Sequence, residues 1–209
     1  ADKMPIDENT PLKLPESSYG KTKQMGEEIL KDFATAHQKK VTLLRYFNPI
    51  GAHPSAKLGE LPIGIPNNLV PYVMQTAAGV REKLSVWGND YETEDGTAIR
   101  DYIYVVDLAK AHVKALQKLL KMSSDTQIDI YNLGTGKGSS VLEVVHAFEK
   151  ANDVAVPYQI CERRAGDITI AYANADKAEK ELGWKSETSL EEALRTVWQW
   201  QKYLETREK

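Results

Sequence analysis

A tyrosine and a lysine four residues apart, Tyr19 and Lys23, open a stretch with helical spacing: Ser17-Ser18-Tyr19-Gly20-Lys21-Thr22-Lys23-Gln24-Met25-Gly26-Glu27-Glu28-Ile29-Leu30. At i and i+4 of a helix the phenol and the ammonium share one face. A free phenol titrates near pH ~10; a close positive charge favours the phenolate and lowers that value. A phenol tuned in this way accepts a proton from a sugar alcohol. Both residues are also common on solvated helix faces, so the pair needs its context before it means chemistry.

Other stretches carry charge or glycine. In Glu162-Arg163-Arg164-Ala165-Gly166-Asp167 two guanidinium forks could bind phosphate, although such a loop alone is usually just solvated. The acidic loop Asn89-Asp90-Tyr91-Glu92-Thr93-Glu94-Asp95-Gly96 superficially matches a calcium loop, but its glycine is seventh from Asp90 where that motif requires the sixth. It reads as a solvated turn, and no metal site is expected. Gly134-Thr135-Gly136-Lys137-Gly138 lies between a predicted strand and a predicted helix. Serine at 139 breaks the dinucleotide fingerprint, and no Lys-Ser/Thr pair follows the last glycine, so a plain βα turn is the better reading.

The elements that must position these groups follow from periodicity. A helix is expected over 18–36 with Ile29, Leu30 and Phe33 at core spacing, then a buried parallel strand over 41–48. Helix followed by buried strand indicates α/β winding, in which binding groups gather at the carboxyl ends of strands, here Phe47 to His53. After a long loop over 54–66, Asn68 should cap a helix that Gly79 stops. Strands are expected over 84–87, 100–106, 128–133 and 158–161. Asp107 sits at the positive end of a helix reaching about 121, which polar residues 123–125 end. Ser139 or Ser140 caps the helix over 141–150, and helices over 176–182 and 190–204 finish the chain, Trp198 and Trp200 of the second serving as packing residues.

Composition limits the classes. The chain has 209 residues, 42% hydrophobic and 27% charged, enough for a real core. A formal charge of -3 argues against sequence-independent attraction to nucleic acid or an anionic membrane. Cys161 is the single cysteine, and no apolar run approaches a membrane span, which suits a cytoplasmic location.

The ordered set Tyr19-Gly20-Lys21-Thr22-Lys23, Arg45-Tyr46-Phe47-Asn48-Pro49-Ile50-Gly51-Ala52-His53, Ile65-Pro66-Asn67-Asn68-Leu69, Gly96-Thr97-Ala98-Ile99-Arg100-Asp101-Tyr102, Val105-Val106-Asp107-Leu108-Ala109 and Arg163-Arg164-Ala165-Gly166-Asp167 resembles the UDP-glucose 4-epimerases, extended short-chain dehydrogenase/reductases. The resemblance spans about 15–200. It implies NAD-dependent inversion at C4 of a UDP-hexose, with possible extension to N-acetylated UDP-hexosamines. Tyr19 would take the proton of the sugar 4-hydroxyl, Lys23 would hold the nicotinamide ribose, and Phe47 would contact the nicotinamide side. Asn48, Asn68 and Leu69 would contact the UDP-sugar, Trp87 would lie near the uracil, and Arg100 and Arg164 would clasp the diphosphate. Tyr102 and Asp167 would border uridine and ribose, and small Ala171 stands where a bulky tyrosine excludes N-acetylated sugars.

The implied fold is the C-terminal part of an NAD-binding Rossmann-like doubly wound sheet plus a smaller α/β substrate-binding domain. Residues 1–60 would be the Rossmann remnant, and 61–209 mainly the UDP-sugar-binding part with segments returning to the Rossmann sheet. The family's glycine fingerprint is expected in a missing N-terminal Rossmann half. The isolated chain would then be inactive, and an unpaired sheet edge would be exposed. A homodimer is expected by analogy. Alternative readings are a catalytically inactive UDP-sugar-binding or structural module and another nucleotide-sugar-modifying short-chain dehydrogenase/reductase; Asn48-Pro49-Ile50-Gly51-Ala52-His53 and the Arg163-to-Asp167 loop favour the epimerase over the latter.

Overall fold

The computed structural model describes residues 3–15, 17–123 and 126–207. Ser124 and Asp125 of the expected helix stop lie outside the described residues. In chain order the elements are α1 (Ser18–His37), β1 (Lys40–Tyr46), β2 (Asn48–Ile50), α2 (Leu69–Ala77), β3 (Leu84–Trp87), β4 (Ile99–Arg100), β5 (Tyr102–Tyr104) and α3 (Val105–Lys121). They continue with β6 (Gln127–Leu133), β7 (Ser139–Ser140), α4 (Val141–Asn152), β8 (Tyr158–Cys161), β9 (Ile170–Ala171), α5 (Asp176–Leu182) and α6 (Leu190–Arg207).

Helix α1 starts where the Ser17 hydroxyl accepts the Gly20 N–H at 3.0 Å, satisfying a donor that has no partner inside the helix. It ends on left-handed Gln38. Strand β1 then runs parallel to β6, with Leu43 opposite Ile130 and Leu44 opposite Tyr131. Alternation sends β1 side chains to both faces. Arg45 turns to α1 and donates through Nε and Nη2 to the two carboxylate oxygens of Glu27, each at 2.7 Å. Leu44 turns the other way and packs with Tyr131 and Leu133 of β6, Leu108 and Ala111 of α3, and Leu182 of α5. Helices therefore cover both faces of this parallel pair, the α/β arrangement expected.

Among the described residues β1 pairs with β6 alone. Here one expectation fails: Ile29, Leu30 and Phe33 are not in the core but 63%, 44% and 48% exposed. Their spacing is that of an apolar helix face, but no described segment lies on it. Leu116 and Leu120 of α3 are exposed as well.

Two predicted strands each break, the first at Phe47 and the second at Asp101. The run over 41–48 ends as β1 at Tyr46; the Phe47 N–H bonds the Leu133 carbonyl, whereas the Asn48 N–H bonds the Asp101 carbonyl, so the chain passes from β6 to β5. The run over 100–106 pairs first with β7 and β9 as β4 and then, after Asp101, with β2 as β5. It becomes helix at Val105, earlier than its β-branched residues suggested. Strand β5 divides two cores. Tyr102 and Tyr104 enter the larger one with Ile50, Met74, Phe148 and Trp200, while Ile103 enters the one beneath β1 and β6.

Two carboxylates do more than expected. Asp107 is buried, and its Oδ2 accepts the N–H groups of Glu187 and Thr188 at 3.1 and 2.9 Å, so it anchors a distant turn and not only its own helix. Burial pushes its carboxyl up, but the donors from Thr188, Lys110 and Glu187 together outweigh that and hold it below the usual carboxylate range. In the acidic loop, taken from sequence as a solvated turn, Asp95 accepts the N–H and hydroxyl of Thr97 at 2.8 and 2.7 Å and the hydroxyl of Ser140. Ser140, not Ser139, caps α4, in a reciprocal box with Glu143. Trp198 and Trp200 pack as expected, Trp198 edge-on to Phe148 and Trp200 in the larger core. No described helix is long and apolar enough to cross a membrane.

Candidate nucleotide-sugar site

A cavity of about 500 Å³ opens where β2, β3, β4 and β5 meet the start of α2 and the loop after β8. That volume falls in the range of small-molecule sites, roughly 300–1,000 Å³. Asn48, Asn68, Leu69, Trp87, Arg100, Tyr102, Arg164 and Asp167 line it, so the fold gathers every predicted UDP-sugar contact except Ala171.

Each arrives for a local reason. Arg100 and Tyr102 are two residues apart on an extended segment and therefore project to one side. The Arg100 Nη1 donates to the Ile99 carbonyl at 2.9 Å, which fixes the stem of the guanidinium. Burial pushes the Tyr102 hydroxyl up to about 12, the Arg100 charge pulling the other way, so Tyr102 presents a neutral phenol at physiological pH. Trp87 ends β3 beside the Arg164 guanidinium, whose carbon is 5.8 Å from the indole centroid. Arg164 Nε donates to Asp167 Oδ2 at 3.0 Å.

The two arginines of this loop part company. Arg163 does not line the cavity: its Nε donates to Asp90 Oδ1 at 2.6 Å, and its guanidinium lies 4.0 Å from the Tyr91 ring centroid. It ties its loop to the acidic loop while Arg164 turns inward.

Asn68 does not cap α2 with its side chain, as expected from sequence; its amide instead donates to Glu60 Oε1 at 2.9 Å. Glu60, from the preceding loop, holds the Asn68 NH₂ group, and the amide oxygen accepts none of the first N–H groups of α2. Ser85 also lines the cavity and was missed, although its place two residues before Trp87 on one strand could have revealed it. Tyr72, three residues after Leu69 on α2, is a second lining residue that helical spacing could have found.

Tyr19, Lys23, Phe47 and Ala171 stand outside the lining. Tyr19 is 72% exposed, with the Lys23 ammonium 5.1 Å from its ring centroid. Phe47 occupies the junction of β1 and β2. Ala171 pairs with Arg100 across parallel strands, and directly paired residues share a face.

The glycine loop over 134–138 is more than a plain turn, because its amides are already occupied. Asp101 accepts the Thr135 N–H at 2.8 Å and the Gly136 N–H at 3.3 Å. The loop therefore offers no cradle for a dinucleotide's pyrophosphate.

The family model described as GDP-mannose 4,6 dehydratase matches residues 1–197. The chain belongs to that family. Two similar curated proteins are UDP-glucose 4-epimerases. The chain is 56% identical over 198 residues to UDP-glucose 4-epimerase of Bacillus subtilis (strain 168), covering 94% of this chain and 57% of that protein. It is 52% identical over 200 residues to UDP-glucose 4-epimerase of Haemophilus influenzae, covering 95% of this chain and 58% of that one. The chain thus spans rather more than half the length of the curated relatives it matches. Among solved structures, a UDP-glucose-4-epimerase of Stenotrophomonas maltophila with bound NAD and formylated UDP-arabinopyranose superposes with TM-score 0.93 at 46% identity, over 99% of this chain and 61% of that one. UDP-glucose 4-epimerase of Bifidobacterium longum in complex with NAD+ and UDP superposes with TM-score 0.91 at 48% identity, over 97% and 59%.

Proposed function

We propose that this chain forms the UDP-sugar pocket and carries the proton-transferring tyrosine of an NAD-dependent UDP-hexose 4-epimerase. The observation that carries the reading is the meeting of Arg100 and Arg164, from separate segments, in one cavity with Trp87 and Tyr102. A diphosphate requires fork-shaped cations approaching from more than one direction, and a nucleobase requires an aromatic surface. The Bifidobacterium longum relative was crystallised with NAD+ and UDP, which supports assigning the same ligand classes here.

In this reading Arg100 and Arg164 hold the diphosphate, Trp87 borders the uracil, and Tyr102 and Asp167 border uridine and ribose. Asn48, Asn68 and Leu69 line the sugar side. Tyr19 takes the proton of the 4-hydroxyl and returns it after the sugar has turned, while Lys23 sets its charge beside that ring and holds the cofactor's ribose. Phe47 limits the nicotinamide side. NAD, when bound, supplies the hydride acceptor and donor for C4. Ala171 leaves room beside Arg100 for an N-acetyl group.

The pyrophosphate cradle must come from outside the described residues. We assign the free edge of β1 and the exposed Leu116 and Leu120 to contact with a further Rossmann half. Exposed Ile29, Leu30 and Phe33 on α1 suit a homodimer contact. A cytoplasmic location belongs to the same reading.

The family description names a dehydratase, whereas relatives at 56% and 52% identity are epimerases. A coupled assay on the intact protein with NAD and UDP-galactose decides between them. UDP-glucose as sole product supports epimerisation, and a 4-keto-6-deoxy product overturns it. UDP binding without turnover in the intact protein would favour a binding module, a reading that draws on Tyr19 and Lys23 standing outside the cavity lining.

A further inference from the structure

We infer that Asp101 is a positioning residue for the nucleotide-sugar cavity: its buried carboxylate fills the glycine loop over 134–138 and thereby fixes Arg100 and Tyr102, its neighbours on either side, against the ligand. The inference rests on the proposed UDP-sugar reading of that cavity.

Alternation along the chain places Arg100 and Tyr102 on the cavity side and sends the side chain between them to the opposite side. There Asp101 is fully buried. Its Oδ1 accepts the Thr135 N–H at 2.8 Å and the Thr135 hydroxyl at 2.7 Å; its Oδ2 accepts the Ala173 N–H at 3.1 Å and the Gly136 N–H at 3.3 Å. Successive backbone N–H groups in a glycine-bearing turn make a concavity for an anion. Here the anion comes from the protein itself. Gly134 allows the approach, since a Cβ there would collide with Asp101 Oδ2.

The main chain of the same residue makes two further ties. Its N–H donates to the Ala171 carbonyl at 3.1 Å, and its carbonyl accepts the Asn48 N–H at 2.9 Å. Asp101 thus joins β2, β9 and the glycine loop at the point where the chain passes from β4 to β5. Asn48, Arg100 and Tyr102 all line the cavity, and all are held relative to one another through this residue. An amide in place of the carboxylate turns an NH₂ group toward N–H donors and leaves some of them buried without an acceptor.

The test is UDP titration by calorimetry on the intact protein, with Asp101→Asn, Thr135→Val and Asp107→Asn beside the parent. Asp107 is the control: a comparably buried carboxylate that accepts two backbone N–H groups where Asp101 accepts three, yet lies outside the cavity lining. Affinities are referred to the folded fraction from a thermal melt. Expected is a Kd for UDP raised on the order of tenfold in Asp101→Asn, equivalent to ~1.4 kcal/mol. Thr135→Val should raise it severalfold, and Asp107→Asn should lower the Tm while leaving Kd within twofold of the parent. KM for UDP-galactose should rise with Kd in the Asp101 variant, with kcat at saturation changed far less. If Asp101→Asn fails to fold, Thr135→Val decides. Unchanged Kd in the variants of Asp101 or Thr135 that fold, or an equal rise in Asp107→Asn, overturns the inference. A parent that does not bind UDP overturns the proposed function itself, and the inference falls with it.

Discussion

The Lys23 ammonium lies 5.1 Å from the centroid of the Tyr19 ring, one helical turn further along α1. The pair is exposed and is not part of the cavity lining, so the group assigned to proton transfer and the groups assigned to nucleotide binding rest on different elements. Chemistry and recognition should therefore separate cleanly on mutation.

Tyr19→Phe should lower kcat by roughly 10²–10⁴, the usual worth of a positioned acid–base group. Lys23→Met should also lower it. Neither should shift the Kd for UDP by more than about twofold, since both side chains lie outside the cavity. Steady-state kinetics paired with calorimetry on the intact protein checks this.

Ala171→Tyr should abolish turnover of UDP-N-acetylgalactosamine and spare UDP-galactose. The paired position of Ala171 and Arg100 puts a phenol at 171 on the face of the sheet that carries a cavity guanidinium. Side-by-side assays of the two substrates suffice; equal loss of both would refute it.

Stability should fall in acid through Glu27. Its hydrogen bonds from Arg45 lower its carboxyl, burial opposing them. A depressed folded value means that the stabilisation is complete above the unfolded value of ~4.3 and is lost as pH falls through the lower folded one. The Tm difference between the parent and Glu27→Gln should be constant from neutral pH to about 5 and shrink below about 4.

Trp200→Phe should loosen the loop that leads to the cavity. Trp200 Nε1 donates to the Glu60 carbonyl at 3.0 Å, and a Cβ on Gly59 would meet the indole at 2.5 Å, so this loop lies directly on the ring. Glu60 in turn holds Asn68. Loss of the bond and of part of the ring should cost about 1–3 kcal/mol, raise the Kd for UDP and open 53–66 to limited proteolysis.

Much of the fold was legible because it is local. Ser17 before a periodic run, the β-branched stretch ahead of Phe47 and Gly183 after Leu182 each announce their element within a few residues. Most cavity residues were legible through their ordered motifs. The long-range ties were not. Asp101 reads as a polar residue in a strand until Thr135 and Ala173 are brought to it, and Asn68 looks like a cap until Glu60 arrives. The apolar stripe of Ile29, Leu30 and Phe33 announces burial but does not say against what.

Strand β5, with Tyr102 and Tyr104 in one core and Ile103 in the other, acts as a party wall. The pocket furniture stands on one side of it, whereas α1, the helix bearing Tyr19, contributes to neither core. Under the proposed function, a lineage can remodel the sugar it admits by changing residues on the cavity side while α1 stays in place. The converse holds only up to the wall itself: a larger side chain at fully buried Ile103 has no room in its own core and pushes on the strand that carries Tyr102 and Tyr104, so this position should be among the least forgiving in the chain.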